Sequence, residues 1–256
     1  MAGQRNIRLT ISYLGTGYHG WQRQHEAITV QGVLEGAIEK ILGEKISLLA
    51  SGRTDAGVHA LGQVAGFRTC SKIPIDGLKR GLNAILPDDI SILHAEEAPE
   101  QWHPIGSVKS KIYRYEIITS PVKLPLFKDR AWLIKYPLNI DGMKAAAEIL
   151  LGTHDFSCFR ASGSSASHSV RTIFHIHIES RPIKEYPEQE ITMVTITVEA
   201  DGFLRYMVRN ISGLLVDVGL QRRSTTEVSS ILESRDRRMS SPTAPACGLY
   251  LVRVIY

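Results

Sequence analysis

Cysteine is scarce in this chain. Cys70, Cys158 and Cys247 are its three in 256 residues, and an odd, widely spaced set makes no disulfide framework and suits a reducing cytosol. Long apolar runs are missing as well: no stretch reaches the roughly 18 residues that a membrane-spanning helix needs. The N-terminal residues carry Arg5 and Arg8 among polar neighbours and lack the apolar core of a secretory signal. A soluble, cytoplasmic protein with no membrane partner is therefore expected. Strong charge of one sign is also absent, since 30 Lys and Arg against 26 Asp and Glu leave a formal charge of +4. That excess inclines only slightly toward an anionic partner. Basic residues nevertheless gather locally, at Lys109, Lys111 and Arg114, at Arg205 and Arg209, at Arg222 and Arg223, and at Arg235, Arg237 and Arg238.

What is present is ordinary globular composition, 43% hydrophobic and 22% charged, in a chain longer than one modal domain. Ile7, Leu9, Ile11 and Tyr13 alternate with polar residues, the period of a half-buried strand. Val30, Val33, Leu34, Ala37, Ile38, Ile41 and Leu42 recur at helical spacing, and Gly43 closes that helix. Strands are expected at Ile46–Ala50, Gln63–Thr69 and Ile90–Ala95, with a helix over Ile75–Ile85. The second half repeats this grammar. Strands are expected over Lys111–Thr119 and Arg130–Ile134, and a helix through Met143–Leu151 stops at Gly152. A hairpin follows at Thr172–Ser180 and Ile191–Glu199. An amphipathic helix from Leu204 ends at Gly219, a short helix covers Glu227–Glu233, and a strand runs from Gly248 to Tyr256. Strand, helix and paired strands in each half predict an α+β fold of two related lobes, 1–105 and 106–256, each a mainly antiparallel sheet covered by helices. Ala161–Ser169, rich in Ser, and Arg235–Ala246, rich in Arg, Ser and Pro, read as mobile loops.

One stretch stands apart: Ser51-Gly52-Arg53-Thr54-Asp55-Ala56-Gly57-Val58-His59-Ala60, at the end of an expected strand. Two glycines flank a single carboxylate and let the loop bend on both sides of Asp55. Arg53 adds a permanent cation with a planar fork of donors, suited to phosphate or to stacking on a base. Asp-Ala-Gly alone is an everyday turn.

Other patterns carry less. Gly15-Thr16-Gly17-Tyr18-His19-Gly20 fits a dinucleotide-binding spacing, but the expected helix begins near Val30, too late to meet a pyrophosphate. His175 and His177 share a strand face without Cys or carboxylate at ligand spacing, so no metal is expected. Lys111-Ile112-Tyr113-Arg114-Tyr115 places two aromatics on one strand face, with basic residues read onto the other. That is either a core strand with solvated charges or a stacking platform for an extruded base. In Gly202-Phe203-Leu204-Arg205-Tyr206-Met207-Val208-Arg209-Asn210, Arg205 and Arg209 are four apart and read as sharing a helix face.

Together these stretches resemble the tRNA pseudouridine synthase A (TruA) family. The Asp55 loop is similar to its catalytic loop, and Tyr13–Gln22 to its opening motif, where Leu14 stands in the place of a common Asp. His154-Asp155-Phe156, Arg171-Thr172-Ile173 and Ala244-Pro245-Ala246-Cys247-Gly248-Leu249 extend the likeness in family order across the chain. One departure is Trp102-His103-Pro104-Ile105-Gly106, where relatives carry Phe-x-Ala-Arg-Phe and so an arginine at the position of Ile105.

The resemblance implies isomerisation of uridine to pseudouridine at positions 38, 39 and 40 of the tRNA anticodon stem-loop, with neither cofactor nor metal. It further implies an active-site cleft between the lobes, and a homodimer. Asp55 would be catalytic, Tyr113 would contact the uracil, Arg53 would fill the space of the extruded base, and Arg209 would pair with the catalytic aspartate. Two other classes stay open from the residues. A catalytically silent RNA-binding protein would need no Asp55. A nicotinamide oxidoreductase built on the Gly15 pattern would need a parallel sheet.

Overall fold

Alternation in the first strand decides which side of it is core. Ile7, Leu9 and Ile11 are fully buried while their neighbours are only partly so. The computed structural model describes residues 3–161, 168–186 and 190–256. In chain order these form β1 (Arg5–Tyr13), α1 (Val30–Leu42), β2 (Leu49–Ala50), β3 (His59–Thr69), α2 (Ile75–Ile85), β4 (Ile90–Glu97), β5 (Ser110–Thr119) and β6 (Trp132–Ile134). They continue with α3 (Ile140–Glu148), β7 (Gly152–Asp155), β8 (Val170–Pro182), β9 (Thr192–Ala200), α4 (Met207–Gly219), α5 (Thr225–Ser234) and β10 (Leu249–Ile255). The fold is α+β with mostly antiparallel pairing. Two compact units divide it: residues 1–109 with 250–256, and residues 110–249.

In the first unit β1 lies between β4 and β3, antiparallel to both. The far side of β3 is shared. Its start runs parallel to β10, with Tyr250 opposite His59, and its later part pairs with β2, with Leu49 opposite Gly66. The closing strand, read from sequence with the second half, thus pairs inside the first unit. α1 begins at Thr29, whose side chain accepts from the Gly32 amide, and ends at Gly43 in a left-handed conformation at φ 70°. Leu34 and Ile38 of α1, Leu82 of α2 and Ile92 of β4 are almost completely buried and build this core.

In the second unit β5 pairs antiparallel with β9, β9 with β8, and β8 with β7, while β6 lies parallel to β5. α3 packs on α4, α5 and β8, and α4 also meets β5. Ile211, Leu214 and Leu215 of α4 are fully buried, as are Phe156 and Phe159. A satellite core gathers Ile118, Leu124, Ala131, Ile183, Ile191 and Met193.

Several expected elements differ. The strand expected over Ile46–Ala50 shrinks to two residues, because Gln31 and Glu35 of α1 engage the Leu48 backbone instead. β3 begins four residues before Gln63, at His59, which shortens the Asp55 loop to Ser51–Val58. Gly152 stops no helix directly; it opens β7 at φ 91°. α4 starts at Met207, so Arg205 lies outside the helix and shares no helix face with Arg209. Strand parity also moves Lys111 to the side of Tyr113 and Tyr115, leaving Arg114 opposite, where it pairs with Glu116 at 2.8 Å. Arg235–Ala246 is built into the second unit: Ser241 is buried, and Ala244 donates its amide to the Arg209 carbonyl at 3.2 Å. Most of Ala161–Ser169, the other expected mobile loop, lies outside the described residues.

Candidate active site

The Ser51–Val58 loop is held from beneath by its own unit. Gln63, fully buried on β3, donates to the Gly52 carbonyl at 2.8 Å and accepts from the Ser51 hydroxyl at 2.9 Å. Tyr13 of β1 meets the Thr54 hydroxyl at 2.7 Å, and burial pushes its phenol well above the usual tyrosine range against the opposing hydrogen bonds of Thr54 and Gln63. The Thr54 carbonyl accepts from the Trp21 amide at 3.0 Å, and the Val58 amide donates to the Asp55 carbonyl at 3.1 Å. Arg53 is left exposed and Asp55 half-buried. Of the two glycines read as bends, Gly57 is left-handed at φ 77°, whereas Gly52 keeps an ordinary backbone.

The Gly15–Gly20 pattern finds its physical reason here. No helix opens from Gly20; residues 15–17 make a short 3₁₀ turn instead. A Cβ on Gly15 would lie 2.0 Å from the Val58 carbonyl oxygen, and one on Gly20 2.6 Å from that of Thr54. Glycine is required because two backbones touch. This geometry overturns the dinucleotide reading, and the mainly antiparallel sheet leaves it no frame.

In the second unit Tyr113 is buried on β5, with the ring of Phe203 edge-on at 5.0 Å. Tyr115 is fully buried and donates to the Pro245 carbonyl at 2.7 Å. Lys111, on the same strand face, has its ammonium lowered to about 8, first by burial and then by the nearby Arg171. Arg209 donates through Nε to the Ala244 carbonyl at 2.8 Å. The guanidinium groups of Arg205 and Arg209 lie over the Tyr206 ring, 5.1 and 4.6 Å from its centroid. Asp55 and Arg53 therefore belong to the first unit, and Tyr113 and Arg209 to the second.

The model of the tRNA pseudouridine synthase family matches residues 9–105 and 146–256, a span that takes in the Asp55 loop and Arg209. The chain belongs to that family. Its members are isomerases acting on tRNA, and curated relatives agree. The tRNA pseudouridine synthase A of Thermoanaerobacter sp. (strain X514) is 46% identical over 98% of this chain and 100% of its own. That of Acetivibrio thermocellus is also 46% identical, and that of Pelobacter propionicus 45%, with the same coverage. Among solved structures, a chain of a Cbf5-Nop10-Gar1 complex aligns with 96% of this chain and 48% of its own length. Its 15% identity and TM-score of 0.37 are too distant to bear on function.

Within this pseudouridine synthase the basic residues outside the loop are mostly engaged at home. Arg237 donates to Asn210 and Thr243, both at 3.0 Å, and Arg238 forks onto Asp236. Arg222 pairs with Asp217, Arg223 with Glu227 and Arg235 with Asp155. Ile105 is exposed, and the guanidinium against Trp102 is that of Arg8, 5.7 Å from the ring centroid and 5.6 Å from that of Tyr256. Among the described residues no three His, Cys, Asp or Glu gather as a metal site, and no helix is long and apolar enough to cross a membrane. Gln63, Thr54, Tyr13 and Tyr206 were not singled out from sequence as site residues. The one available signal was a lone amide inside the otherwise apolar run Ala60–Phe67.

Proposed function

We propose that this pseudouridine synthase acts at positions 38, 39 and 40 of the tRNA anticodon stem-loop, in the cytoplasm and as a homodimer. Asp55 is the catalytic carboxylate, Tyr113 the ring that meets the uracil, and Arg53 the side chain that occupies the space of the extruded base. Arg209 is the cation that favours ionised Asp55. The reaction breaks the C1′–N1 bond, turns the uracil and joins C1′ to C5. C5 gives up its proton and N1 gains one, so no group is imported and nothing is oxidised. Extrusion of a stacked base costs a few kcal/mol, and the basic surfaces around Arg222, Arg223, Arg235, Arg237 and Arg238 would meet phosphates away from the reacting base.

The observation that carries this reading is the Asp55 loop itself. Its residues 51, 52 and 54 are tied down by hydrogen bonds to Gln63 and Tyr13, while Arg53 between them is exposed. Such preorganisation supports positional catalysis, in which a carboxylate must meet one atom of an extruded nucleotide. Mapping pseudouridine in tRNA after incubation with the purified protein tests it. New pseudouridine at 38–40 is expected, and its absence there would overturn the assignment.

A further inference from the structure

We propose that Gln63 is a positioning residue for the isomerisation, holding the backbone ahead of Asp55 in its reactive geometry. This rests on the assignment of Asp55 above. Gln63 stands opposite Ile11 in the β1–β3 ladder and is fully buried. A buried primary amide must satisfy two N–H donors and a carbonyl acceptor. The Gly52 carbonyl can only accept, so the Gln63 nitrogen faces it at 2.8 Å. That choice turns the amide oxygen to the Ser51 hydroxyl at 2.9 Å. Gln63 is also a hydrogen-bond partner of the Tyr13 phenol, and Tyr13 in turn shares a hydrogen bond with the Thr54 hydroxyl, 2.7 Å away.

One side chain thus orders three residues of the loop: Ser51 and Gly52 directly, and Thr54 through Tyr13. Arg53, which lies among them, is left exposed, and Asp55 is the next residue along. Other side chains fail this role for identifiable reasons. Methionine offers no donor and only a weak sulfur acceptor. An ionised glutamate would aim negative charge at the Gly52 carbonyl. A protonated glutamate, however, donates to Gly52 and accepts from Ser51, reproducing two of the three links.

The experiment compares full-length Gln63→Met, Gln63→Glu and Ser51→Ala with wild type and Asp55→Asn. Pseudouridine formation is followed under single turnover at saturating enzyme, tRNA affinity by filter binding, and folding by thermal melting. A displaced reacting group can cost about 100-fold in rate, and a loss of that order is expected for Gln63→Met in folded protein that binds tRNA within about 3-fold of wild type. Relative to wild type at the same pH, Gln63→Glu should recover part of the rate toward acid pH and lose it as pH rises while its melting stays unchanged, a dependence that a mere packing role would not create. Ser51→Ala should be slower than wild type, and slower by less than Gln63→Met. The proposal is overturned if bound, folded Gln63→Met reacts at the wild-type rate. It is equally overturned if its whole loss lies in affinity, or, should that variant fail to fold, if Ser51→Ala reacts like wild type. A wild-type enzyme that makes no pseudouridine would overturn the functional reading instead.

Discussion

Arg209 lays its guanidinium 4.6 Å from the centroid of the Tyr206 ring, and Tyr206 itself sits in the left-handed region at φ 65°. A non-glycine residue there carries roughly 1–3 kcal/mol of strain. The turn sets Tyr206 immediately before α4, where its ring and the Ala244 carbonyl fix the arginine from two directions. A cation over an aromatic face contributes about 0.5–2 kcal/mol, so Tyr206→Leu should slow single-turnover isomerisation by about 3–30-fold. Tyr206→Phe keeps the ring and should react like wild type. Equal rates for the Leu and wild-type enzymes would show that the ring does not position Arg209.

Arg209→Leu probes the charge itself. If Arg209 is the cation proposed above to favour ionised Asp55, its loss should make Asp55 harder to ionise. The acid limb of the pH–rate profile should then move to higher pH, with turnover reduced at neutral pH. Lysine should restore part of the rate, since it keeps the charge and loses the fork. An unmoved profile with unchanged turnover would count against this role.

Asp55→Asn should abolish pseudouridine formation while tRNA affinity stays within about 3-fold, because affinity comes chiefly from phosphate contacts made by basic residues. Release of tritium from C5-labelled uridine in tRNA reads the chemistry directly. Turnover by the Asn variant near the wild-type rate would remove Asp55 from the mechanism.

Two glycines of one motif should behave in opposite ways. Gly20→Ala places a Cβ 2.6 Å from the Thr54 carbonyl oxygen at φ +88°, whereas a Cβ on Gly17 meets nothing within 4 Å. We expect Gly20→Ala to cost about 2–4 kcal/mol, a fall of roughly 5–15 °C in melting temperature. Gly17→Ala should melt like wild type. Calorimetry on the two variants decides it.

Lys111 supplies a pH dependence of stability. Its ammonium titrates at about 8 in the folded protein against an ordinary 10.5. Between those values the unfolded chain binds the extra proton, so the contribution of Lys111 to stability rises with pH across that window and is most unfavourable below pH 8. Lys111→Met should therefore gain most over wild type near pH 7 and lose that advantage toward pH 10. Urea melts at both pH values measure it, and a gap independent of pH would contradict the burial argument.

The strands and helices with clean periodicity were legible from sequence, because β1, α1 and α2 each bury one face and little else decides them. The Asp55 loop was legible as a motif. Its supports were not, since Gln63 reaches Ser51 and Gly52 across 12 and 11 residues, and Tyr13 reaches Thr54 across 41. Periodicity is silent about such links. The start of α4 was misplaced for a related reason: Leu204 and Met207 keep helical spacing, yet the left-handed Tyr206 between them breaks the helix, and no propensity announces a strained tyrosine. Strand parity, by contrast, was available in the sequence and would have put Lys111 beside Tyr113.

The division of the flank of β3 sets an order of events during synthesis. The half of β3 that leaves the Asp55 loop takes β10 as its neighbour, while β2 covers only the later half. Residues 110–249, the whole of the second unit, leave the ribosome between those two partners. At about 5–20 residues per second, this delay lasts on the order of 10–30 s. Throughout it, the nascent first unit offers an unpaired strand edge directly beside the Asp55 loop. Completion of that scaffold is therefore a late step in the life of the chain. A destabilised β10 would surface first as poor folding yield, with the molecules that do mature keeping normal chemistry.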